Sequence, residues 1–212
     1  LKSLGIEIQA WTRSVGPIEV DPARFDLDER DKNGLYMPDA CAAEKAEAYL
    51  RELMAKKDSS GGVVECEISG LPVGVGEPVF EKLSANLAKA VMSIGAVKGF
   101  EIGDGFQAAK SCGSQNNDAF GIGKDGNIYK KTNHSGGVLG GMSDGSRLVF
   151  RAAFKPTSSI ASPQDMVTRD GKETKIEIKG RHDPIIVPRA VVVVEAMAAL
   201  TVADMLLISM AS

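Results

Sequence analysis

The feature that most constrains the fold is a long apolar segment near the end of the sequence, from Pro188 to about Ser209. Pro is tolerated at the first position of a helix, and here apolar residues cover much of the helical circumference. Such a helix is normally buried, so the chain needs a second layer to cover it. Because Glu195 and Asp204 interrupt the apolar run, it falls short of the ~18 residues typical of a membrane span. We therefore expect a core helix and no membrane partner.

Alternation of apolar and polar residues supplies that second layer. It runs through Ile6 to Arg13, Val64 to Ile68 and Arg147 to Phe154, and this period of two is typical of half-buried strands. Residues 96–102 and 174–178 are predicted to be further short strands.

Helical spacing indicates two further helices. Asp39 is a candidate cap for a helix that runs to Lys57. A second helix is predicted to open at Pro78, with the apolar stripe Phe80, Leu83, Leu87, Ala90 and Val91. Residues 21–38 and 103–137 are polar or glycine-rich and are predicted to be irregular. The sum is an α+β fold, a mostly antiparallel sheet with helices packed on it, in a single domain over residues 1–212.

Composition excludes several classes of function. The chain has 212 residues and a net charge of −3, which argues against nucleic acid as the main partner. Its three cysteines (Cys41, Cys66 and Cys112) are too few and too widely spaced for a disulfide framework or a metal cluster. We therefore expect a cytoplasmic protein without a bound metal. Because the sequence starts at Leu1 and its first residues resemble a helix end, we expect a piece of a longer protein.

The hexapeptide Lys179-Gly180-Arg181-His182-Asp183-Pro184 places a guanidinium, an imidazole and a carboxylate in three consecutive residues. Gly permits unusual backbone angles and Pro fixes one, so the segment is predicted to be a turn of set shape. Side chains of this kind suit an anion that is bound beside a proton-transfer group. A surface turn with an Arg–Asp contact is the alternative.

Three other turns join small or hydroxyl residues to secondary-structure ends: Ser93 to Gly99, Gly136 to Gly141, and Lys155 to Ile160. Paired glycines allow a flat ligand or a phosphate to approach the backbone, and a cation beside hydroxyls and N–H groups forms a phosphate cradle. A tight sheet crossing is the alternative for Gly136 to Gly141, and a simple cap or turn is the alternative for Lys155 to Ile160. Together with residues 181–183, the turns predict a pocket for a polyanionic, partly planar ligand.

Gly121 to Gly126 matches the dinucleotide pattern G-x-G-x-x-G. That pattern requires a helix directly afterwards, whereas Asn127 to Lys131 reads as a strand or hairpin. A plain turn is therefore the favoured interpretation.

A series of motifs resembles the chorismate synthase family in order and spacing. The motifs are Gly70 to Pro78, Ser93 to Phe106, Gly113 to Asp118, Asn133 to Gly141, Lys155 to Ile160 and Gly180 to Pro184. The resemblance covers essentially the whole chain but only the central and C-terminal part of the family. The family's N-terminal part, with its own His- and Arg-rich motifs, has no counterpart in this sequence.

The resemblance implies a fold, a reaction and a cofactor. Family members are homotetramers of a β-α-β sandwich fold. They convert 5-enolpyruvylshikimate 3-phosphate to chorismate and phosphate by a 1,4-elimination. The reaction requires reduced FMN although it has no net redox change. Whether the parent protein reduces its own FMN with NADPH or depends on an outside reductase stays open.

The resemblance also assigns site residues. Family flavin contacts fall on Gly95, Ala96, Gly140 and Arg181, and on the cradle residues Lys155, Pro156, Thr157, Ser158 and Ser159. Asp183 matches the family aspartate that relays a proton at the flavin. His182 is expected to have a structural role, such as orienting Asp183. Gly95 departs from the Pro that the family commonly has there, with little expected loss because the contact is through the backbone.

Two other interpretations stay open at this point. One is a non-catalytic module that binds flavin or another anion and assists oligomerisation. The other is an unrelated α+β phosphate-binding protein. Since the family's histidines and most of its substrate arginines have no counterpart in this sequence, we expect the isolated 212-residue chain to be inactive.

Overall fold

A computed structural model describes residues 1–124, 126–180 and 182–211. The α-helices are α1 (Ala40–Ala55), α2 (Leu83–Met92), α3 (Gly113–Asn116) and α4 (Val187–Ala211). The strands are β1 (Glu7–Val15), β2 (Ile18–Glu19), β3 (Gly62–Ser69), β4 (Val97–Ile102), β5 (Phe120–Ile122), β6 (Ile128–Lys130), β7 (Val138–Leu139), β8 (Met142–Ser143), β9 (Leu148–Phe154), β10 (Gln164–Val167) and β11 (Glu173–Ile176). Short 3-10 helices cover Lys2–Leu4, Pro22–Arg24, Leu27–Lys32, Val79–Glu81 and Gly105–Lys110.

The main sheet has the strand order β2-β1-β3-β9-β4. Three antiparallel hairpins, β5–β6, β7–β8 and β10–β11, form separate two-stranded sheets. This mixture of helices with an antiparallel sheet confirms the predicted α+β class.

The chain divides into two compact units. Unit 1 contains Leu1–Ala10, Glu65–Ala152 and Val192–Ser212, and unit 2 contains Trp11–Val64 and Ala153–Val191. Strands β1, β3 and β9 each contribute residues to both units. The expectation of a single domain stays a prediction.

The core of unit 1 follows the predicted alternation. Cys66 and Ile68 of β3, and Leu148 and Phe150 of β9, are fully or almost fully buried, while the residues between them are half-exposed. Phe150 stacks on Phe100 of β4 with 5.3 Å between ring centroids. Burial raises the pKa of the Cys66 thiol well above its ordinary value, so this cysteine is an inert core residue.

Asp39 begins α1 in unit 2, as the sequence predicts. Its carboxylate accepts a hydrogen bond from the N–H of Ala42 at 3.1 Å and so caps the helix. Desolvation of this side chain, which is 1% exposed, opposes ionisation, but the Arg24 guanidinium and two backbone N–H groups hold the pKa of Asp39 below its ordinary value. The same carboxylate also accepts from the N–H of Asp21 and so ties residues 21–24 to the helix start.

The second predicted helix starts later than its sequence pattern indicates. Residues Val79–Glu81 form a separate 3-10 turn, and α2 begins only at Leu83. Val79 has a left-handed φ of 62°, which breaks the helical path and turns Phe80 to solvent, where it is 85% exposed. The prediction that Phe80 belongs to the buried stripe was therefore wrong, whereas Leu83, Leu87 and Val91 are buried as predicted.

Helix α4 is only partly buried, which corrects the expectation of a fully covered helix. Val194, Ala198 and Val202 are buried, but Val192, Leu200 and Leu207 on another face are each about two-thirds exposed. By length and composition alone the helix could cross a membrane, since an 18-residue stretch of it has a mean hydropathy of 2.2. Of that stretch, 39% is buried. The core helix of a soluble protein passes the same test, so this is weak evidence for a membrane span.

Candidate functional site

The predicted cradle and the predicted turn lie at one cavity of unit 2. Its volume is about 160 Å³. Its walls come from the end of α1 and the residues after it, from the end of the cradle, and from the 180–184 turn. The lining residues are Met54, Lys57, Asp58, Ser59, Ser159, Ile160, Ala161, Gly180, His182, Asp183 and Pro184.

The cradle, residues 155–159, begins directly after β9. Lys155, Pro156 and Ser158 are exposed, and Lys155 makes no ion pair among the residues that the structure describes. The hydroxyl oxygen of Thr157 is buried and has no hydrogen-bond partner among the residues that the structure describes. A buried hydroxyl without a partner is energetically costly. Of the five cradle residues only Ser159 lines the cavity, so a ligand oxygen could reach the Thr157 hydroxyl only after the cradle has moved.

Asp183 is held by a residue that sequence reasoning missed. Arg189, in the first turn of α4, places its guanidinium 2.7 Å and 3.2 Å from the two carboxylate oxygens of Asp183. This two-point geometry is the most specific form of an Arg–carboxylate pair. The expected turn therefore contains an Arg–Asp contact, but the arginine comes from the following helix. The predicted flavin contact Arg181 lies outside the described residues.

The imidazole of His182 is held by the turn itself. Its Nε2 lies 3.2 Å from the carbonyl oxygen of Ile178 and, since a carbonyl can only accept, donates its N–H to it. The ring is half-buried at the cavity wall. The carboxylate of Asp183 is instead oriented by Arg189, so the suggestion that His182 orients Asp183 has no contact to support it in this part of the chain.

The remaining predicted flavin contacts lie in unit 1 and expose backbone. Gly140 is at the tip of the β7–β8 hairpin with φ 61°, and a side chain built there would meet nothing within 4 Å. A Cβ atom built at Gly95 would also meet nothing within 4 Å. Ala96 has a left-handed φ of 70°, which is uncommon for a residue other than glycine and typical of a functional turn.

A buried ionic cluster fixes the loops around that hairpin. The ammonium of Lys130 lies between the carboxylates of Asp118 and Asp144, and all three side chains are at most 9% exposed. Desolvation opposes ionisation of Asp118, but the N–H groups of Ser135 and His134 and the hydroxyl of Thr132 hold its pKa well below the ordinary value.

The same cluster explains why residues 103–137 are not the irregular loop that their composition predicts. They contain a 3-10 helix, α3 and the β5–β6 hairpin. Asp118 bridges this stretch by accepting hydrogen bonds from the N–H groups of His134 and Ser135, which are 16 and 17 residues away. Glycine-rich sequence gives no local sign of such long-range ties.

The glycine pattern at Gly121 to Gly126 forms a hairpin turn. Gly123 accepts a hydrogen bond from Gly126 and donates one to Asn127, which closes the β5–β6 hairpin. Asp125 lies outside the described residues. The absence of a following helix confirms the interpretation as a turn and not as a dinucleotide fingerprint. The described residues also contain no group of three or more His, Cys, Asp or Glu side chains that could hold a metal ion.

Fold and site together define an α+β protein with a cavity whose walls carry the Asp183 turn and the end of a hydroxyl-rich cradle. The family model for chorismate synthase matches residues 1–207. A chorismate synthase from Agathobacter rectalis is 64% identical over 210 residues, which is 99% of this chain and 57% of the relative. One from Lachnoclostridium phytofermentans is 58% identical over 212 residues, 58% of its length.

A crystal structure of a chorismate synthase is also similar, with a TM-score of 0.80 at 30% identity over 98% of this chain and 59% of that one. The chain therefore belongs to the chorismate synthase family. It spans somewhat more than half the length of the relatives it matches.

Proposed function

We propose that this chain is the flavin-facing part of an enzyme that converts 5-enolpyruvylshikimate 3-phosphate to chorismate and phosphate. The reaction is a 1,4-elimination and uses reduced FMN, which supplies electron density that helps the phosphate to leave. The family membership supports the reaction class. The isolated chain is proposed to bind the cofactor without turning over substrate.

The single observation that carries the proposal is that Ser159 of the cradle and Asp183 of the turn line the same cavity. In this proposal the hydroxyls of Thr157, Ser158 and Ser159 bind the oxygens of FMN, and the exposed ammonium of Lys155 neutralises its negative charge. Gly95, Ala96 and Gly140 are proposed as further flavin contacts on the family resemblance alone. Arg181 is proposed as a further cation, on the family resemblance alone.

Asp183 is proposed to move the proton at the flavin. A carboxylate held by an arginine keeps a fixed direction, and a general base must lie at a set distance from the atom it serves. The pair with Arg189 supplies that direction. Two further family properties, a homotetramer and a cytoplasmic location, are proposed without a structural argument. The second candidate function is a flavin-binding module without activity, since the chain spans 57% of the length of a relative.

Titration of the chain with oxidised and reduced FMN tests the binding claim, and Thr157→Val sharpens it. Valine keeps the shape of threonine but removes the hydroxyl, so affinity for FMN should fall about ten- to a hundredfold, the scale of one lost hydrogen bond to a charged partner. Since the hydroxyl has no partner among the described residues, the melting temperature should stay level or rise.

Thr201→Val is the matched control, because the hydroxyl of Thr201 donates to the carbonyl of Met197 at 2.8 Å inside α4. This control should leave FMN affinity unchanged. If the unsubstituted chain binds neither form of FMN, or if Thr157→Val binds as tightly as the unsubstituted chain, the proposed cofactor site is wrong.

A further inference from the structure

The segment that follows α1 contacts both the cradle and the turn that carries Asp183. It contains no recognisable sequence motif. The hydroxyl of Ser59 donates to the carbonyl of Thr157 at 2.7 Å, across 98 residues of sequence. This contact lies at the middle of the cradle. It fixes the peptide group whose side chain carries the orphaned hydroxyl.

The next residue holds the opposite wall. The N–H of Ser60, which is buried, donates to the carbonyl of Pro184 at 2.8 Å. Pro184 directly follows Asp183, so this bond fixes the end of the turn that carries the carboxylate. Ser59 and Ser60 are adjacent, and the two walls of the cavity are therefore tied to one short piece of backbone.

Gly61 completes the arrangement by allowing close approach. A Cβ atom built there would overlap the carbonyl oxygen of Phe154 and would lie 3.1 Å from the ring of Pro156. The backbone at Gly61 therefore packs directly against the start of the cradle. Only glycine fits at this distance.

The end of α1 gives this segment a fixed origin. The N–H groups of Lys57 and Asp58 donate to the carbonyls of Met54 and Leu53, which is the hydrogen-bond pattern of a Schellman motif. Lys57 takes the left-handed conformation that this motif needs, with φ 58°. The chain thus leaves the helix in a defined direction and arrives at the cradle as Ser59.

We propose that Ser59 is a positioning residue that holds the cradle and the Asp183 turn in a fixed arrangement for FMN binding. It acts through Thr157 and, by way of Ser60, through Pro184. The functional part of this inference rests on the proposed FMN site. Preorganised walls raise affinity because the ligand does not have to order them on binding.

Ser59→Ala removes the hydroxyl and should weaken FMN binding about five-fold, the scale of one hydrogen bond. Ser59→Thr restores a donor and should recover most of that loss. Amide hydrogen exchange of the variants, measured without flavin, should accelerate in peptides that cover residues 155–161 and 182–185. Ser111→Ala is the matched control, since the hydroxyl of Ser111 donates to the carbonyl of Gln107 at 3.3 Å in unit 1. The control should change neither readout.

The outcomes separate the two proposals. If the unsubstituted chain binds no FMN, the cofactor proposal fails, while hydrogen exchange still decides the positioning role of Ser59. If Ser59→Ala leaves exchange at both walls unchanged, or lowers affinity without recovery in Ser59→Thr, the positioning role is overturned.

Discussion

Asp118 offers the sharpest test of how unit 1 holds its glycine-rich loops. One carboxylate oxygen accepts from the hydroxyl of Thr132 and the N–H of His134, both at 2.7 Å. The other accepts from the N–H of Ser135 at 3.0 Å and lies 3.6 Å from the ammonium of Lys130. Asp118→Asn keeps the shape but must point an NH₂ group at one of these donor pairs.

The expected cost follows from that geometry. A buried donor left without its acceptor costs about 1–3 kcal/mol, and the lost charge beside Lys130 adds to it. We therefore expect the free energy of unfolding to fall by about 2–4 kcal/mol at pH 7. Urea unfolding followed by circular dichroism measures the change, and amide exchange of His134 and Ser135 localises it.

The pH dependence gives an independent check. Because the folded pKa of Asp118 lies below its unfolded value of about 3.9, its stabilising contribution is complete above about pH 5 and is lost as the pH falls. The difference in the free energy of unfolding between the chain and Asp118→Asn should therefore shrink from pH 7 towards pH 3.

Asp165→Asn, at a carboxylate that is 91% exposed, is the control and should change the free energy of unfolding by less than about 0.5 kcal/mol. Equal small losses in both variants, or a pH-independent difference, would refute the role given to Asp118.

Three further predictions concern other parts of the chain. Lys57→Gly should raise the free energy of unfolding by about 0.5–1 kcal/mol, because glycine adopts the left-handed φ of 58° without strain. The exposed ion pair of Lys57 with Glu177 contributes little. A lower melting temperature would contradict this prediction. Phe150→Ala should cost about 3–5 kcal/mol in urea unfolding, since the ring is 1% exposed; a loss under about 1 kcal/mol would mean that it is not a core residue. Asp183→Asn, in an active enzyme that contains this chain, should lower turnover ~10²-fold or more while the FMN dissociation constant changes little. Near-normal turnover would remove Asp183 from the mechanism.

Local patterns predicted the parts of the fold that depend on local physics. Alternation of apolar and polar residues identified β3 and β9 because every second residue there is buried. The cap at Asp39 was recognisable because a carboxylate before an apolar stripe satisfies the first N–H groups of a helix. The start of α2 was misplaced because Pro78 is compatible with a helix start, while the left-handed angle at Val79 depends on surrounding structure.

The candidate site could be predicted from the sequence only where a motif marks it. Residue types and family resemblance pointed to the cradle and to Asp183, and their roles stay predictions. Arg189 was missed because it was assigned only to the apolar helix, and Ser59 because its partner Thr157 is 98 residues away. Long-range pairing of this kind leaves no periodic signal in one sequence.

The central claim is that this chain supplies a working flavin site to a chorismate synthase. It is tested most directly by a chimera in which the chain replaces the matching 57% of the Agathobacter rectalis relative. With reduced FMN and without oxygen, the chimera is predicted to form chorismate and phosphate from 5-enolpyruvylshikimate 3-phosphate, while the isolated chain forms none. A folded chimera that binds FMN but produces no chorismate would contradict the claim and favour a module without activity.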